Sequence, residues 1–169
     1  SKGKMVIYDC EHFFDGYKSN PEYAVKTARI AGESGAKRIV FCDTNGGTVT
    51  SELIRIIHQV APKLKTALGI HAHNDSELAV ANALSAVDAG AEQVQGTING
   101  YGERCGNTNL VSIIPTLKLK MGLNCISDKQ MAGLKDASAF VDELANKAHW
   151  DRQPYVGKSA FAHKAGIHV

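Results

Sequence analysis

The sequence repeats one unit, a short apolar run followed by a helical pattern, and this repeat limits the fold more than any other feature. Four apolar runs occur at residues 5–8, 38–42, 67–70 and 93–97. Their starts are about 25 to 35 residues apart, which is the length of one strand–helix unit. Short runs rich in Val and Ile are typical of parallel strands that helices cover on both faces. The repeat therefore predicts an α/β protein with a parallel sheet.

Helix signals lie between the predicted strands. Asn20 followed by Pro21 is typical of an N-cap with proline at the first helical position. The expected caps of the next three helices are Thr48 or Thr50, then Asp75 or Ser76, then Asn109. Pro115 predicts a kink or a late start in the last of these helices. Ser127 predicts a longer helix at about residues 128–148, and residues 151–169 are expected to be mostly loop.

Consecutive strand–helix units imply right-handed crossovers between neighbouring parallel strands. Two architectures fit four such units. One is an open doubly wound sheet, and the other is half of a (β/α)8 barrel, since a complete barrel needs eight units and about 250 residues. The repeat alone leaves both open.

Composition and charge exclude several classes of protein. The 169 residues carry 19 Lys and Arg against 17 Asp and Glu, which leaves a net charge of +2. This balance predicts binding neither to nucleic acid nor to an anionic membrane. No apolar run reaches the ~20 residues of a membrane helix, and the polar start does not resemble a signal peptide. The four cysteines form no C-x-x-C pair, so we expect reduced thiols and a cytoplasmic location.

Polar residues follow each predicted strand, at the end where parallel sheets bind ligands. The polar segments are residues 9–12, 43–45, 71–75 and 99–107. Glycines in the last segment would allow a ligand to approach the backbone closely, but their spacing is not that of a dinucleotide-binding motif. Four polar strand ends in register predict one shared active site.

His71 and His73 form the sharpest local feature. Residues i and i+2 of a strand point to the same side, so two imidazoles so placed can share one metal ion at ~2.0–2.2 Å. Asn107 is available as an oxygen ligand from the following loop. The alternative is a pair of hydrogen-bonded surface histidines. If a divalent metal binds, Zn, Mn, Mg and Co all remain open.

Glu11 lies on the same side as Asp9 if the first strand continues that far. A carboxylate at this position could act as an acid or a base, or orient a neighbouring group. The alternative is a loop glutamate without a role in catalysis.

Five motifs together resemble the acyl-CoA-dependent Claisen synthases, which comprise 2-isopropylmalate, homocitrate and (R)-citramalate synthases. H-A-H-N-D at 71–75 and G-Y-G-E-R-C-G-N at 100–107 are typical of the whole family. D-C-E-H-F-F-D-G-Y at 9–17 and C-D-T-N-G-G at 42–47 are most similar to the citramalate branch. A-F-A-H-K-A-G-I-H at 160–168 resembles the segment that follows the barrel.

This resemblance implies a fold: a (β/α)4 half of a TIM (β/α)8 barrel with an appended C-terminal helix and loop. Residue 5 begins what resembles the fifth barrel strand, so the expected piece is the C-terminal half of the catalytic barrel. The expected domains are residues 1–125 for the half barrel and 126–169 for its last associated helix and the start of the post-barrel segment. The family's first strand, with its Arg–Asp pair, has no counterpart here, so we expect little activity from this chain alone.

The resemblance also implies roles for individual residues. His71 and His73 match the metal-binding histidines, and Asn107 matches the asparagine on the metal side. Glu11 matches the catalytic glutamate. Thr44 matches a threonine that contacts the 2-oxo acid.

Two further groups complete the expected site. His168 matches the catalytic histidine of the post-barrel segment, and His163 is a nearby alternative in the same motif. Glu103 and Arg104, grouped with Thr44 on the substrate side, are expected to close the site by a charge-assisted contact.

The implied activity is that of a metal-dependent acyltransferase in branched-chain amino acid (isoleucine or leucine) biosynthesis. It condenses acetyl-CoA as co-substrate with a 2-oxo acid, and the substrate expected here is pyruvate, which gives (R)-citramalate. A homo-oligomer is the expected assembly. The alternatives are 2-isopropylmalate or homocitrate synthase activity, a lyase similar to hydroxymethylglutaryl-CoA lyase, and a non-catalytic fragment that assembles with itself.

Overall fold

The computed structural model describes residues 3–163, and these form two compact units. Within the described residues, unit 1 contains 3–97 and 102–108, and unit 2 contains 98–101 and 109–163. The domain division at residue 125 stays a prediction.

Unit 1 is a four-stranded parallel sheet with helices between its strands. Its elements are β1 (Ile7–Cys10), α1 (Phe13–Ser19), α2 (Pro21–Glu33), β2 (Arg38–Asp43), α3 (Thr50–Val60), β3 (Ala67–Ala72), α4 (Ala79–Asp88) and β4 (Gln93–Gln95). The strand order is β1-β2-β3-β4, and all three pairings are parallel. A doubly wound sheet reverses its strand order at a switch point, whereas a barrel keeps sequential order. The observed order is therefore that of half a barrel, as predicted.

The register of the sheet decides which side chains meet. Cys42 of β2 is paired with His71 of β3, and His71 is paired with Gln95 of β4. Residues paired in this way point to the same face of a parallel sheet. One row of side chains therefore crosses three strands close to their carboxyl ends.

The short helix α1 was not predicted. His12 adopts a left-handed backbone conformation with φ of 52°, which turns the chain out of β1 and into the helix. Phe13 then stacks on Phe41 with 3.7 Å between ring centroids, and Phe14 meets Phe41 edge-on. All three rings are buried. Their burial stabilises a helix that is too short to show a clear pattern in the sequence.

The prediction of helix caps is correct at two places. The side chain of Asn20 accepts a hydrogen bond from Tyr23 N, and that of Asn109 accepts one from Val111 N, both at 3.0 Å. These asparagines satisfy backbone N–H groups that have no partner within the helix.

The other two expected caps are wrong, because these side chains have different partners. Thr48 Oγ1 donates to the buried Asp43 at 2.8 Å, and Thr50 Oγ1 donates to Asn82 at 2.7 Å. Helix α4 begins only at Ala79, and the carboxylate of Asp75 pairs with an arginine instead of capping the helix.

Unit 2 contains α5 (Leu110–Leu119), α6 (Asp128–Ala132) and α7 (Leu134–Leu144). Helix α5 begins at Leu110 and contains Pro115, so of the two expected effects of this proline, a kink or a late start, the late start does not occur. The single helix expected at 128–148 is two helices, one ending at Ala132 and the other beginning at Leu134, with Gly133 between them. Residues 151–163 are mostly loop, as expected, with a 3₁₀ turn at Lys158–Phe161.

A buried carboxylate fastens α7 to the turn at residues 98–101. Asp142 accepts hydrogen bonds from Asn99 Nδ2 at 2.6 Å, Tyr101 OH at 2.7 Å and His149 Nδ1 at 2.6 Å. Its burial acts to raise the pKa of Asp142, but the three hydrogen bonds outweigh it and lower the pKa below its ordinary value.

No helix among residues 3–163 is long and apolar enough to cross a membrane.

Candidate metal centre

Strand β3 brings two imidazoles to one point at the carboxyl end of the sheet. His71 belongs to the strand and His73 follows it directly, so both side chains leave the same face. Their Nε2 atoms are 3.3 Å apart. Two nitrogen ligands at ~2.0–2.2 Å from one ion, at angles between octahedral and tetrahedral, are separated by roughly 2.8–3.6 Å. The observed separation fits two ligands of a single metal ion.

Asn107 joins the two histidines from the loop that follows β4. The backbones of His73 and Asn107 form an antiparallel bridge, and Asn107 Nδ2 lies 3.0 Å from His71 Nε2. Nothing larger than Gly102 would fit beside this amide, because a Cβ there would overlap Asn107 Oδ1. Rotating the amide would exchange its nitrogen for its oxygen, which is the atom that binds metals.

The described residues supply no third charged or imidazole ligand. Among residues 3–163, no group of three His, Cys, Asp or Glu is placed to hold a metal ion. The amide of Asn107 is therefore the third candidate ligand that this part of the chain offers.

The electrostatics favour the neutral form of His73. Burial lowers the pKa of His73, and the charges of His71 and Arg104 lower it further, against the smaller opposing effects of Asp75 and Glu103. Metals bind the neutral imidazole, so a lowered pKa keeps this ligand available at neutral pH.

A side-chain relay behind His71 was missed by the sequence analysis. Gln95 Oε1 lies 2.9 Å from His71 Nδ1, and Gln95 Nε2 donates to Asp9 Oδ1 at 3.0 Å. Gln95 lies in β4, and the apolar run at 93–97 predicts this strand without indicating a role for its polar side chains. The signal that could have found it is the register, since Gln95 is paired with His71.

Glu11 and Thr44 form a second polar group on β1 and β2. Thr44 Oγ1 accepts a hydrogen bond from His12 N at 2.8 Å and donates one to Glu11 Oε2 at 2.9 Å. The strand ends at Cys10, so Glu11 lies in the turn that follows it. The hydroxyl proton of Thr44 points at Glu11 and holds this carboxylate in place.

Arg104 ties the loop after β4 to the ends of β2 and β3. Its guanidinium donates to both carboxylate oxygens of Asp75, at 2.8 and 2.9 Å, and to the carbonyl oxygen of Thr44 at 2.6 Å. The hydrogen bonds from Arg104 lower the pKa of Asp75. Glu103 lies 3.9 Å from Arg104, which is too far for a hydrogen bond, so the charge-assisted hydrogen bonds of Arg104 are made with Asp75. The substrate roles of Glu103 and Arg104 stay predictions.

Cys42 lies on β2, between the strand that carries Asp9 and precedes Glu11 and the strand that carries His71. It is paired with His71 in the sheet, and burial raises the pKa of its thiol, with smaller contributions from the charges of Glu11 and Asp9. The Cys10 thiol behaves similarly, since burial raises its pKa to about 12. Both cysteines are uncharged, buried side chains at neutral pH.

The two histidines expected from the post-barrel segment stay predictions. His168 lies outside the described residues. His163 is exposed at the end of the described chain, in unit 2.

Fold and site together define a class of protein: half of a (β/α)8 barrel with a cluster of polar side chains at the carboxyl ends of its strands. The HMGL-like family profile matches residues 1–141, and the chain belongs to this family.

Several named proteins are similar in sequence to this chain over almost its whole length. The chain is 62% identical over 164 residues to an (R)-citramalate synthase of Geobacter sulfurreducens, which covers 97% of this chain and 31% of that protein. It is 56% identical over 165 residues to an (R)-citramalate synthase of Aquifex aeolicus, with 97% and 31% covered. A 2-isopropylmalate synthase of Buchnera aphidicola is 39% identical over 168 residues, with 96% and 32% covered. The chain thus spans about a third of the length of the curated relatives it matches.

Solved structures share the fold. The N-terminal domain of a putative aldolase from Bacteroides vulgatus superposes with a TM-score of 0.69 at 18% identity, over 86% of this chain and 47% of that one. A hydroxymethylglutaryl-CoA lyase from Bacillus subtilis superposes with a TM-score of 0.67 at 19% identity, over 78% of this chain and 45% of the lyase chain. This chain matches about half of each, as expected for half a barrel.

Proposed function

We propose that this chain provides the metal-binding side of the active site of an acyltransferase that condenses acetyl-CoA with pyruvate to form (R)-citramalate. The observation that carries the proposal is the 62% identity to a protein named (R)-citramalate synthase, over almost the whole chain. The convergence of His71, His73 and Asn107 supports the metal-dependent part of the mechanism.

His71 and His73 would hold a divalent ion through their Nε2 atoms, and Asn107 would add its amide oxygen. A bound divalent ion would polarise the ketone of the oxo acid and stabilise the alkoxide that forms. The chain itself keeps both imidazoles in place through strand β3 and keeps His73 neutral through burial. The ion's identity among Zn, Mn, Mg and Co stays open.

Glu11 is proposed to act in proton transfer from the methyl group of acetyl-CoA. Thr44 donates to only one of its oxygens, Oε2, so the carboxylate is oriented and retains capacity to accept a proton. The hydroxyl group of Thr44 has one hydrogen, so Thr44 can donate to the carboxylate of the oxo acid only if this hydrogen turns away from Glu11. Proton transfer and oxo-acid binding would therefore be coupled through one hydroxyl group.

The proposal is tested with a chimera of the Geobacter relative, in which this chain replaces its 62% identical counterpart. The assay follows the release of free thiol from acetyl-CoA with a panel of 2-oxo acids, and the control carries His71→Ala. We expect thiol release with pyruvate in the chimera and loss of most activity in the control.

Two results would contradict the proposal. Activity only with 2-oxoisovalerate would show that the oxo acid is the substrate of 2-isopropylmalate synthase and not pyruvate. A folded chimera that is inactive with every oxo acid, but cleaves a hydroxyacyl-CoA to acetyl-CoA, would replace the condensing reaction by a lyase reaction.

We further propose that the chain self-associates. Among the described residues, β1 and β4 each pair with a single neighbour, and unpaired edges favour association. A groove of about 650 Å³ beside β1 is lined by apolar side chains that include Val6, Tyr8 and Ile30. Light scattering should show an oligomer that Tyr8→Lys weakens and the control Tyr23→Lys does not. A monomeric wild type would contradict self-association.

We place the protein in the cytoplasm. All four cysteines are free thiols, and Cys105 and Cys125 are exposed. Exposed free thiols persist in a reducing compartment. Expression with a fluorescent tag in a bacterial host would test this location, and periplasmic fluorescence after secretion of the native gene product would contradict it.

A further inference from the structure

Gln95 has only one orientation that satisfies both of its neighbours. Asp9 Oδ1 lies 3.0 Å from one end of the Gln95 amide, and His71 Nδ1 lies 2.9 Å from the other. A carboxylate at neutral pH only accepts hydrogen bonds, so the NH₂ group of Gln95 must face Asp9. The amide oxygen then faces His71.

This orientation fixes the tautomer of His71. An amide oxygen only accepts, so the hydrogen of the neutral His71 imidazole must be on Nδ1, where it donates to Gln95. The Nε2 atom is then left with a free lone pair. Nε2 is the atom that faces His73 and Asn107, at 3.3 and 3.0 Å. The relay therefore directs the metal-binding lone pair of His71 toward the other two candidate ligands.

The relay is built on rigid elements. Asp9, His71 and Gln95 belong to β1, β3 and β4, and Gln95 is in direct register with His71. Asp9 on β1 and Gln95 on β4 therefore meet across one face of the sheet, with β2 and β3 between their strands. No loop movement is needed to align the three groups, which favours a preorganised ligand.

We propose that Gln95, oriented by Asp9, is a positioning residue that holds His71 in the Nδ1-protonated tautomer and thereby prepares its Nε2 atom to bind a divalent metal. This inference rests on the metal centre of the proposed function and adds a determinant of its affinity. Hydrogen-bonded partners behind metal-binding histidines typically change affinity by 10–100-fold when they are removed.

The variants separate the relay from general packing. Gln95→Met keeps the length of the side chain and removes the acceptor. The matched control is Gln93→Met, because Gln93 lies two residues earlier on the same strand and face but is not paired with His71. The double substitution of Asp9→Asn with Gln95→Glu reverses the hydrogen bond between these positions and keeps an acceptor at Nδ1, so it serves as a rescue.

The tautomer is read first, in the chelator-treated protein without metal. Long-range ¹H–¹⁵N correlation spectra of ¹⁵N-histidine-labelled protein at pH 8 distinguish Nδ1–H from Nε2–H for each of the seven histidines. The His71 signal is assigned by its loss in His71→Asn. We expect Nδ1–H in the wild type, in Gln93→Met and in the double variant, and a substantial Nε2–H population in Gln95→Met.

Calorimetric titration with Zn²⁺ and with Mn²⁺ is the second readout. We expect Gln95→Met to bind the preferred ion roughly 10–100-fold more weakly, and both Gln93→Met and the double variant to bind within about threefold of the wild type. An Nε2–H tautomer in the wild type, or unchanged tautomer and affinity in Gln95→Met, would overturn the role of Gln95. A wild type that binds neither ion would refute the metal centre itself, and the tautomer measurement would still decide whether Gln95 orients His71.

Discussion

Replacing Gly102 by alanine tests whether the amide of Asn107 is held in place by lack of space. A Cβ at Gly102 would overlap Asn107 Oδ1 and would lie 2.7 Å from Asn107 Cγ and 3.2 Å from Asn107 N. Rotating the side chain cannot relieve the contact with the backbone nitrogen, so the loop itself must shift. The hydrogen bond between Asn107 and His71 would then be lost.

The magnitude follows from two opposing effects. Overpacking of this kind costs about 1–3 kcal/mol. Gly→Ala also restricts the unfolded chain, which stabilises by about 0.4–1 kcal/mol where the backbone tolerates alanine. Gly102 is not in the left-handed region, so this offset applies. The expected net loss for Gly102→Ala is roughly 1–2 kcal/mol relative to the wild type.

The assay is urea denaturation of Gly102→Ala beside Gly47→Ala, with metal affinity measured on both. Gly47 is a matched control, because it lies in another loop of the sheet's carboxyl end and a Cβ there meets nothing within 4 Å. The difference between the two variants removes the unfolded-state effect and should be about 1–3 kcal/mol. Equal stability and equal metal affinity in the two variants would refute the steric reasoning about Asn107.

Three further predictions concern other parts of the chain. Glu11→Gln should leave metal affinity unchanged and lower turnover of the chimera. Equal loss of affinity and turnover would contradict a role of Glu11 in proton transfer that is separate from metal binding. Asp142 has a pKa below its ordinary value of 3.8, so the native state binds fewer protons than the unfolded state. The contribution of Asp142 to folding stability is therefore complete above the ordinary pKa and lost as pH falls through the lowered native pKa. Urea midpoints between pH 5 and 2 should fall less steeply in Asp142→Asn than in the wild type. Identical slopes would contradict this. Asn109→Ala should cost about 0.5–2 kcal/mol of unfolding free energy, and Val49→Ala, at a cap without a side-chain hydrogen bond, should cost less; equal losses would contradict the capping role.

The repeat of apolar runs was sufficient to predict the sheet. Parallel strands buried on both faces produce a strong local signal, but right-handed crossovers fit both a doubly wound sheet and a barrel, so the strand order was expected only from the family resemblance. The break at Gly133 and the helix around Phe13 were not predictable in the same way. The helix around Phe13 depends on a contact between residues far apart in the chain, the stacking of Phe13 on Phe41.

The candidate site was predictable where its residues share one strand or one loop. His71 and His73 meet because of strand periodicity alone, which a sequence displays directly. Gln95 and Asp75 were missed as partners because their contacts cross between strands and loops, to His71 and to Arg104. A side chain that can cap a helix can equally pair with a distant cation, and only the tertiary structure decides between them.

The most direct test of the metal centre is X-ray absorption spectroscopy of the metal-loaded protein at the metal K-edge. Two imidazole nitrogens in the coordination shell at roughly 2.0–2.2 Å are predicted, with one remaining in His71→Ala and one in His73→Ala. A wild-type ion bound without imidazole ligands, or an imidazole count that does not fall in one of the two variants, would contradict the claim that these two histidines share one divalent ion.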